Sequence, residues 1–376
     1  MTSRGLVERK SRTGRGRERA EVANDRGIMR LGKGTRGAMR MLVTGATGLL
    51  GNNLVRMAIE RGDQVRAIVR SGSPSAPLDD LPIERCACGL DDQDGLDRAA
   101  EGAEIVLHSA GFVRIGWSGL DEARRVNVEG TRRIARAARR AGARLVHIST
   151  VNTLALATAN GQADERTPIS GQVPCAYVVS KREAEAAVRD EIAQGLDAVI
   201  VHPGFMLGPW DWKPSSGKML LEVARHRPPF APAGGCSVVD VRDVARGVLA
   251  AAAKGRCGEG YILAGVNLSY LALWKRMAKR AGVRGPIAPL LRPVGRGVGA
   301  VGDLWARLSG TETDINSAAL RMGGQFHYYS SDKAARELDY RFGTVDDAID
   351  AAWTWFVEHG HVGERSARRA ASAQRS

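Results

Sequence analysis

Tyr177 and Lys181 are two residues whose types and spacing could do chemistry. They are four residues apart in a segment, 176–194, that we predict to be helical, so both side chains should lie on one face of the helix. A phenol with a pKa of about 10 exchanges protons poorly at neutral pH. A neighbouring ammonium group favours the phenolate and should lower the pKa of Tyr177 towards the range useful for general acid–base catalysis. The pair therefore predicts proton transfer to or from a substrate oxygen.

Gly45, Gly48 and Gly51 form a second chemical pattern. They follow a short apolar run, 41–43, that predicts a buried strand, and they precede a segment, 52–61, that predicts a helix with an apolar side. In such a unit the first glycine permits a tight turn, the second lets the backbone approach a diphosphate, and the third lets the helix pack on the sheet. The helix N-terminus adds free N–H groups and the positive end of its dipole. This stretch predicts a dinucleotide site.

Arg70 stands where a dinucleotide site usually carries an acid for the ribose, about 20 residues past the glycines. Ser71, Gly72 and Ser73 follow it, after a predicted strand over 64–70. A guanidinium group with two nearby hydroxyls suits a 2′-phosphate, because arginine binds phosphate with two hydrogen bonds. We therefore expect NADP(H) in preference to NAD(H).

The elements that must position these residues alternate along the chain. Strands are predicted over 41–43, 64–70, 83–88, 104–108, 144–148 and 198–201, and helices over 52–61, 121–141 and 176–194. This alternation predicts an α/β fold with a doubly wound parallel Rossmann sheet and helices on both faces. After residue 208 a turn-rich stretch begins, followed by helical segments and short strands over 237–240 and 260–264. We expect a nucleotide-binding domain over 39–207 and a smaller, mostly helical substrate region over 208–363, interleaved with a return strand of the sheet.

The formal charge of +14 is concentrated at the ends of the chain: residues 1–40 have a net charge of +8 and residues 364–376 one of +3, which leaves +3 for the rest. We expect 1–38 to be a disordered basic extension and 364–376 a disordered basic tail. Because the first strand begins two residues after Met39, we expect translation to start near Met39. A nucleic-acid partner is not expected, since the basic ends lack aromatic residues for stacking.

Other partners are also limited by the sequence. Charges interrupt the apolar run 286–308, which favours a helix over a pocket and no membrane partner. His359 and His361 have no accompanying ligand cluster, so no metal site is expected. Five scattered cysteines fit a reducing cytoplasm, which we predict as the location. A homodimer is possible.

Several motifs together resemble one family. Thr44-Gly45-x-x-Gly48-x-x-Gly51 resembles the signature of the extended short-chain dehydrogenase/reductase family, also called the NAD-dependent epimerase/dehydratase family. Tyr177-x-x-x-Lys181, on the helix after the fifth strand, is where that family places its catalytic pair. Similar segments are His108-Ser109-Ala110-Gly111, Asn127-Val128-Glu129-Gly130-Thr131 and Val239-Asp240-Val241-Arg242-Asp243-Val244-Ala245. The resemblance covers about residues 39–357, and the run 208–214 is most similar to the dihydroflavonol-reductase-like branch.

The resemblance implies roles for individual residues. Thr150 would be the catalytic hydroxyl, with Ser149 before it, and Tyr177 and Lys181 would complete the catalytic set. The implied cofactor-binding residues are Gly45, Thr47, Gly48, Leu49, Leu50, Gly51, Arg70, Leu90, Ser109, Ala110, Gly111, Asn127, Tyr177, Lys181 and Pro203. Pro203 ends the sixth strand beside the expected nicotinamide.

Two departures from the family pattern bear on the activity. Gly89 and Leu90 replace an acid that often holds the adenine, and His202 replaces an asparagine that contacts substrate in several nucleotide-sugar enzymes. We expect an NAD(P)(H)-dependent oxidoreductase that reduces a carbonyl, or oxidises a secondary alcohol, of a small organic substrate. The alternatives are an NAD-dependent sugar or nucleotide-sugar epimerase or dehydratase, and a non-catalytic cofactor-sensing regulator. Such regulators typically lack the Tyr/Lys pair.

Overall fold

A computed structural model describes residues 37–374; the predicted extension 1–38 lies outside this range except for its last two residues. The chain divides into two units, 1–37 and 38–376, and the fold described is that of the second. Within the described range the strands are β1 (Arg40–Thr44), β2 (Gln64–Val69), β3 (Glu84–Ala87), β4 (Ile105–His108), β5 (Arg144–Ile148), β6 (Ala198–Pro203), β7 (Phe205–Leu207), β8 (Phe230–Ala231), β9 (Gly235–Asp240), β10 (Gly260–Leu263), β11 (Val266–Ser269), β12 (Ala288–Pro289) and β13 (Phe326–His327).

The same range also contains α-helices, which lie between the strands along the chain and after the last of them. They are α1 (Leu49–Glu60), α2 (Gln93–Ala100), α3 (Leu120–Ala123), α4 (Gly130–Ala141), α5 (Ala176–Ala193), α6 (Lys218–His226), α7 (Val241–Lys254), α8 (Tyr270–Arg280), α9 (Arg292–Ser309), α10 (Ser317–Gly323), α11 (Asp332–Leu338), α12 (Val345–Glu358) and α13 (Glu364–Ala373).

A seven-stranded sheet forms the centre, in the order β10-β6-β5-β4-β1-β2-β3, and each neighbouring pair is parallel. Its central strands are short apolar runs, and Leu42, Val43, Leu107, Val146 and Val199 are fully buried. Strands that read as continuous apolar runs suit a parallel sheet, because helices cover both of its faces. The carboxyl ends of all these strands lie at one edge of the sheet, where ligands bind in folds of this kind.

Helices pack on both sides of the sheet. On one face α1, α7 and α11 share an apolar core with Val43 and Val146. On the other face α2, α4 and α5 share a core with Leu42 and Leu145. Alternate residues of each strand therefore point into different cores. The predicted doubly wound α/β fold is confirmed.

The helix predicted over 121–141 is continuous but not uniformly α. A π-helical segment, Arg124–Glu129, joins α3 to α4. Asn127 lies within it and is buried. Such π segments occur frequently at functional sites, because the widened turn turns a side chain towards the site.

The second region is built around β9. This strand pairs in parallel with β7 and β13 and antiparallel with β11. Helices α6, α8 and α12 contribute to one apolar core, in which Trp353, Trp355 and Phe356 are buried. After α7 the chain returns to the large sheet, where β10 pairs with β6. The two regions are therefore joined through a shared sheet.

The prediction of a disordered tail over 364–376 was wrong, since Glu364–Ala373 form α13. Alanine favours the helix, and Glu364 pairs with Arg368 one turn later. Ala370 is buried, and its backbone lies so close to Gly282 that a Cβ there would be 3.1 Å from the Cα of Ala370. The tail is thus held by packing that the charge pattern does not reveal.

The structure adds several elements that the pattern did not predict, among them α2 and β8. Helix α2 begins at the Asp92 cap, whose carboxylate accepts a hydrogen bond from the backbone N–H of Gly95. Strand β8 precedes the predicted strand over 237–240, in a stretch for which no strand was predicted. None of the helices in residues 37–374 has both the length and the hydrophobicity needed to cross a membrane.

Candidate active site

Two glycines of the first turn, Gly45 and Gly51, lie where an added side chain would clash with the backbone. Gly45 has a φ of +70°, and a Cβ there would lie 2.6 Å from the backbone nitrogen of Ala110. A Cβ at Gly51 would clash with the carbonyl oxygen of Gly45. Any side chain at either position would push the turn away from α1 or from the end of β4.

Gly48 differs from the other two glycines, because its surroundings are open. It is the exposed N-cap of α1, and a Cβ there would meet only the carbonyl oxygen of Gly45, at 3.4 Å. No side chain caps this helix end, so first-turn N–H groups of Leu49, Leu50 and Gly51 remain available. Thr47 is half-buried in the same turn. Open space beside a glycine at a helix N-terminus fits the diphosphate of a dinucleotide.

Thr44 joins the first turn to the end of β4. Its hydroxyl accepts a hydrogen bond from the backbone N–H of Ala110 at 3.1 Å and contacts Nδ1 of His108 at 2.7 Å. The other ring nitrogen of His108 contacts Thr131 at 2.9 Å. Burial lowers the pKa of His108 to about 3, so the ring is neutral at physiological pH. His108 therefore acts here as a structural bridge that sets the backbone of Ser109 and Ala110.

Arg70 and Leu90 lie at the same edge of the sheet, after β2 and β3. Arg70 is exposed and opens a turn closed by a hydrogen bond from the N–H of Ser73 to its carbonyl oxygen, at 3.0 Å. It forms no ion pair within the described part of the chain. Leu90 is half-buried, and a Cβ at Gly130 would lie 3.0 Å from its side chain. Leu90 thus packs on α4, while the guanidinium of Arg70 is free to meet an anion.

Tyr177 is the second residue of α5 and is buried. Its hydroxyl lies beside the side chain of Thr150, which follows β5, and interacts with it. Burial raises the pKa of Tyr177 to about 12, and the interaction with Thr150 opposes the rise. The expected lowering of this pKa was therefore wrong, because removal from water outweighs the favourable contacts. At neutral pH the phenol is protonated.

Lys181 follows Tyr177 by one helical turn, and its ammonium group donates a hydrogen bond to the carbonyl oxygen of Ile148 at 2.7 Å. A Cβ at Gly111 would lie 3.6 Å from Nζ, so the ammonium group lies beside the end of β4. Burial lowers the pKa of Lys181 to about 8, while the carboxylate of Glu185 opposes the shift. The ammonium form still predominates at pH 7.

Asn127 fastens the loop after β4 to the helix that carries the tyrosine. Its amide oxygen accepts a hydrogen bond from the N–H of Phe112 at 2.7 Å. Its amide nitrogen donates to the carbonyl oxygen of Phe112 and to the hydroxyl of Ser180, each at 2.9 Å. These three hydrogen bonds hold the loop against α5 and set Gly111 beside Lys181.

Glu185 is the residue of this region that the sequence analysis missed. Its carboxylate accepts hydrogen bonds from the hydroxyls of Ser149 at 2.5 Å and Thr153 at 2.7 Å, and it lies 3.2 Å from Nε2 of His202. Burial acts to raise the pKa of Glu185, but His202 and the two hydroxyls outweigh it and hold that pKa below its usual range. Its place four residues after Lys181, on the same helix face, was the signal that could have revealed it.

An apolar layer covers Tyr177. The side chains that pack together with it are Val173, Cys175, Val178, Ala318 and Met322. The last two belong to α10, far along the chain from α5. The phenol therefore sits between a polar side, formed by Thr150, and an apolar side supplied by the second region.

The structure brings most of the predicted residues to one edge of the sheet. The contacts described above link five of them, namely Thr150, Tyr177, Lys181, Gly111 and Asn127. Pro203 ends β6 next to Leu263 of β10. This arrangement is a dinucleotide-binding sheet with a tyrosine–lysine helix beside its carboxyl edge.

Comparison with known proteins gives the family. The sequence model of the NAD dependent epimerase/dehydratase family matches residues 41–264. A putative dihydroflavonol 4-reductase from Synechocystis sp. is 33% identical over 330 residues, which are 85% of this chain and 95% of that protein. Sterol demethylase protein B from Methylococcus capsulatus is 34% identical over 329 residues, 86% of this chain and 100% of that protein.

A solved structure agrees with these relatives. The crystal structure of gox2253 has a TM-score of 0.75 and 35% sequence identity, covering 86% of this chain and 99% of that one. The fold and the site define a nicotinamide-dinucleotide enzyme of the extended short-chain dehydrogenase/reductase type. The chain belongs to the NAD-dependent epimerase/dehydratase family, and it is an NAD(P)-dependent oxidoreductase. The resemblance seen in the sequence is confirmed.

Proposed function

We propose that this enzyme is an NADP(H)-preferring reductase that interconverts a carbonyl and a secondary alcohol on a small, largely apolar organic molecule. One observation carries the proposal: the phenol of Tyr177 lies beside the side chain of Thr150 on one side and packs against apolar side chains on the other. A substrate oxygen placed between the two hydroxyls would meet a donor and an orienting group together.

The residues have separate tasks in this proposal. The nicotinamide, when bound, supplies or accepts a hydride at the substrate carbon. Tyr177, protonated at neutral pH, gives its proton to the developing alkoxide during reduction and takes it back during oxidation. Thr150 orients the oxygen. Lys181, still a cation at pH 7, stabilises the phenolate left behind and can hold a ribose hydroxyl beside Gly111.

The cofactor would lie along the carboxyl edge of the sheet. The N-terminus of α1 and Gly48 would hold its diphosphate, while the backbone of Ser109 and Ala110 would run beside it. Leu90 would line the adenine pocket and Pro203 the nicotinamide pocket. Arg70, which is exposed and has no ion-pair partner among residues 37–374, would bind a 2′-phosphate, which supports NADP(H) over NAD(H).

The apolar character of the substrate has two supports. The side chains that pack around Tyr177 belong to valine, cysteine, alanine and methionine residues, so the phenol has apolar surroundings. Two relatives are named as a putative dihydroflavonol 4-reductase and as sterol demethylase protein B, and neither name refers to a sugar. Both supports favour a reductase over the sugar epimerase or dehydratase that the family name also includes.

The test compares Tyr177→Phe with Tyr261→Phe. The hydroxyl of Tyr261 bonds to Glu337 at 2.8 Å, away from the candidate site, and provides the matched control. For Tyr177→Phe we expect kcat to fall by roughly 10²–10⁴-fold in NADPH consumption with carbonyl compounds. The thermal stabilisation by NADPH should remain in both variants. Full turnover by Tyr177→Phe would refute the assignment, and tightly retained NAD without net NADPH consumption would favour the epimerase alternative.

A further inference from the structure

Helix α9 presents its apolar side chains outward. Val301, Trp305 and Leu308 are 68%, 61% and 77% exposed. Further exposed apolar side chains on the helix or next to it are Ile287, Leu291, Val294, Val298, Leu304 and Ile315. Together these nine residues form what we call the α9 face. A surface of this kind marks an interaction site, because isolated soluble proteins rarely expose so many neighbouring apolar groups.

The orientation of α9 is set by its glycines. A Cβ at Gly299 would lie 2.8 Å from the Cα of Ser317, and one at Gly302 would clash with the carbonyl oxygen of Ile315. Asp303 accepts a hydrogen bond from the N–H of Ser317 at 3.0 Å. The side of the helix that carries small residues is therefore packed on the protein. The apolar stripe at 294, 298, 301, 305 and 308 is left facing outward.

The α9 face is connected to the candidate site. The indole N–H of Trp117, itself partly exposed, donates to the hydroxyl of Ser317 at 2.8 Å. The neighbouring carbonyl of Gly116 accepts a hydrogen bond from the N–H of Ala176, the first residue of α5, at 3.1 Å. Helix α10, which follows the α9 face in the chain, packs against Tyr177. The face is thus part of the rim around the site.

Charge indicates what covers this face. Arg296 and Arg307 are exposed on the other side of α9 and have no ion-pair partner within residues 37–374. The one acid of the helix, Asp303, is already used by Ser317. Within residues 37–374 the two arginines therefore keep an uncompensated positive charge on the helix that carries the apolar stripe. Anionic headgroups would complement them, and a helix with an apolar stripe and basic residues is typical of one that lies in a membrane interface.

We propose that the α9 face docks in the plane of a bilayer surface containing anionic phospholipid. Its apolar side chains enter the boundary of the acyl chains, and Arg296 and Arg307 reach the headgroups along their flexible stems. The sequence predicted no membrane partner because no stretch could span a bilayer. Docking in the interface needs no spanning helix. The inference is independent of the proposed function, since its test does not require turnover.

The test is flotation of the full chain with vesicles of phosphatidylcholine plus phosphatidylglycerol, and with vesicles of phosphatidylcholine alone. The wild type should float with the mixed vesicles. Leu308→Asp should lower the partition coefficient by roughly tenfold or more, since the transfer of a leucine side chain is lost. Phe342→Asp places the same change on an apolar residue that is 44% exposed elsewhere, and should float like the wild type. Thermal midpoints should be unchanged for Leu308→Asp.

Charge variants complete the test. Replacing Arg296 and Arg307 by glutamine should weaken binding to the mixed vesicles by about fivefold per arginine, with little effect on neutral vesicles. Equal flotation of Leu308→Asp and Phe342→Asp would overturn the proposal, because basic segments elsewhere would then hold the lipid. A second outcome would also overturn the proposal. If light scattering shows that Leu308→Asp converts a dimer to a monomer, and vesicle binding is unchanged, a second copy of the chain covers the α9 face.

Discussion

The hydroxyl of Ser149 donates a 2.5 Å hydrogen bond to Oε1 of Glu185, and this contact joins the end of β5 to the helix that carries Tyr177 and Lys181. Thr153 donates to the same oxygen at 2.7 Å. Thr150, which lies beside the phenol of Tyr177, stands between these two anchored residues in the chain. Glu185 therefore positions the hydroxyl of Thr150, which we propose to be catalytic, without touching it.

Glu185→Gln should lower stability by about 1–3 kcal/mol, because an amide cannot satisfy all the donors that the buried carboxylate accepts. The folded-state pKa of Glu185 lies below its unfolded value, so its contribution is present above that value and is lost as pH falls. The difference in the free energy of unfolding between the wild type and Glu185→Gln, measured with urea, should therefore become smaller between pH 7 and pH 4. We expect kcat to fall more than the affinity for NADPH.

Glu183→Gln is the control for this prediction. Glu183 lies on the same helix but pairs with Arg124 at the surface, where such pairs contribute about 0–1 kcal/mol. It should unfold and turn over nearly as the wild type does. If the two glutamine variants behave alike in both measurements, Glu185 does not position the site.

The first turn could be predicted from the sequence because the glycine spacing itself encodes the geometry. Gly45 and Gly51 stand where any side chain would clash, and no other residue type would serve. The pKa of Tyr177 could not be predicted in this way. Its direction depends on burial under Ala318 and Met322, which are more than 130 residues away in the chain. Local spacing does not report such contacts.

The choice between the hydroxyls of Ser149 and Thr150 also required the three-dimensional structure. Ser149 and Thr150 are adjacent, and alternate residues of an extended chain point to opposite sides. The sequence could not say which one faces the phenol. The structure turns Ser149 towards Glu185 and Thr150 towards Tyr177. In the same way, the apolar run around α9 was correctly predicted as helical, but its outward face depends on where its glycines pack.

Arg70→Gln tests the cofactor preference. If Arg70 binds a 2′-phosphate, the loss of a charge-assisted hydrogen bond should raise the Kd for NADPH by roughly 10–100-fold. The Kd for NADH should change little, because that cofactor lacks the phosphate. Arg368→Gln removes another exposed arginine, on α13, and should leave both values unchanged. Fluorescence titration of the two reduced cofactors measures all four quantities. A similar loss for NADH and NADPH would mean that Arg70 does not recognise the phosphate.

Gly45→Ala should abolish the thermal stabilisation by NADPH. The substitution combines a left-handed φ of +70° with a Cβ placed 2.6 Å from the backbone of Ala110. Gly62→Ala separates these causes, because Gly62 has a φ of +82° and nothing within 4 Å of an added Cβ. Gly62→Ala should lower the free energy of unfolding by only about 1–2 kcal/mol, because alanine disfavours the left-handed backbone conformation, and it should still bind the cofactor. Equal behaviour of the two variants would show that the close approach to β4 is not required.

Lys181→Met should make the protein more stable and less active. Burial lowers the pKa of Lys181 to about 8 from 10.5, so folding carries a penalty for the ammonium form below pH 8 that is relieved as pH rises towards 10.5. Methionine removes this penalty but also loses the hydrogen bond to the carbonyl oxygen of Ile148. The net gain in the free energy of unfolding at pH 7 should be of order 1–3 kcal/mol.

The same titration predicts the pH profile of turnover. If the cation supports catalysis, kcat of the wild type should fall as pH rises through about 8, where Lys181 loses its proton. Lys181→Met should show low activity without that step, and its unfolding free energy should lack the rise between pH 8 and 10.5. Lys279→Met, at an exposed position on α8, should keep the wild-type profile in both measurements. An unchanged alkaline limb in Lys181→Met would assign the step to another group.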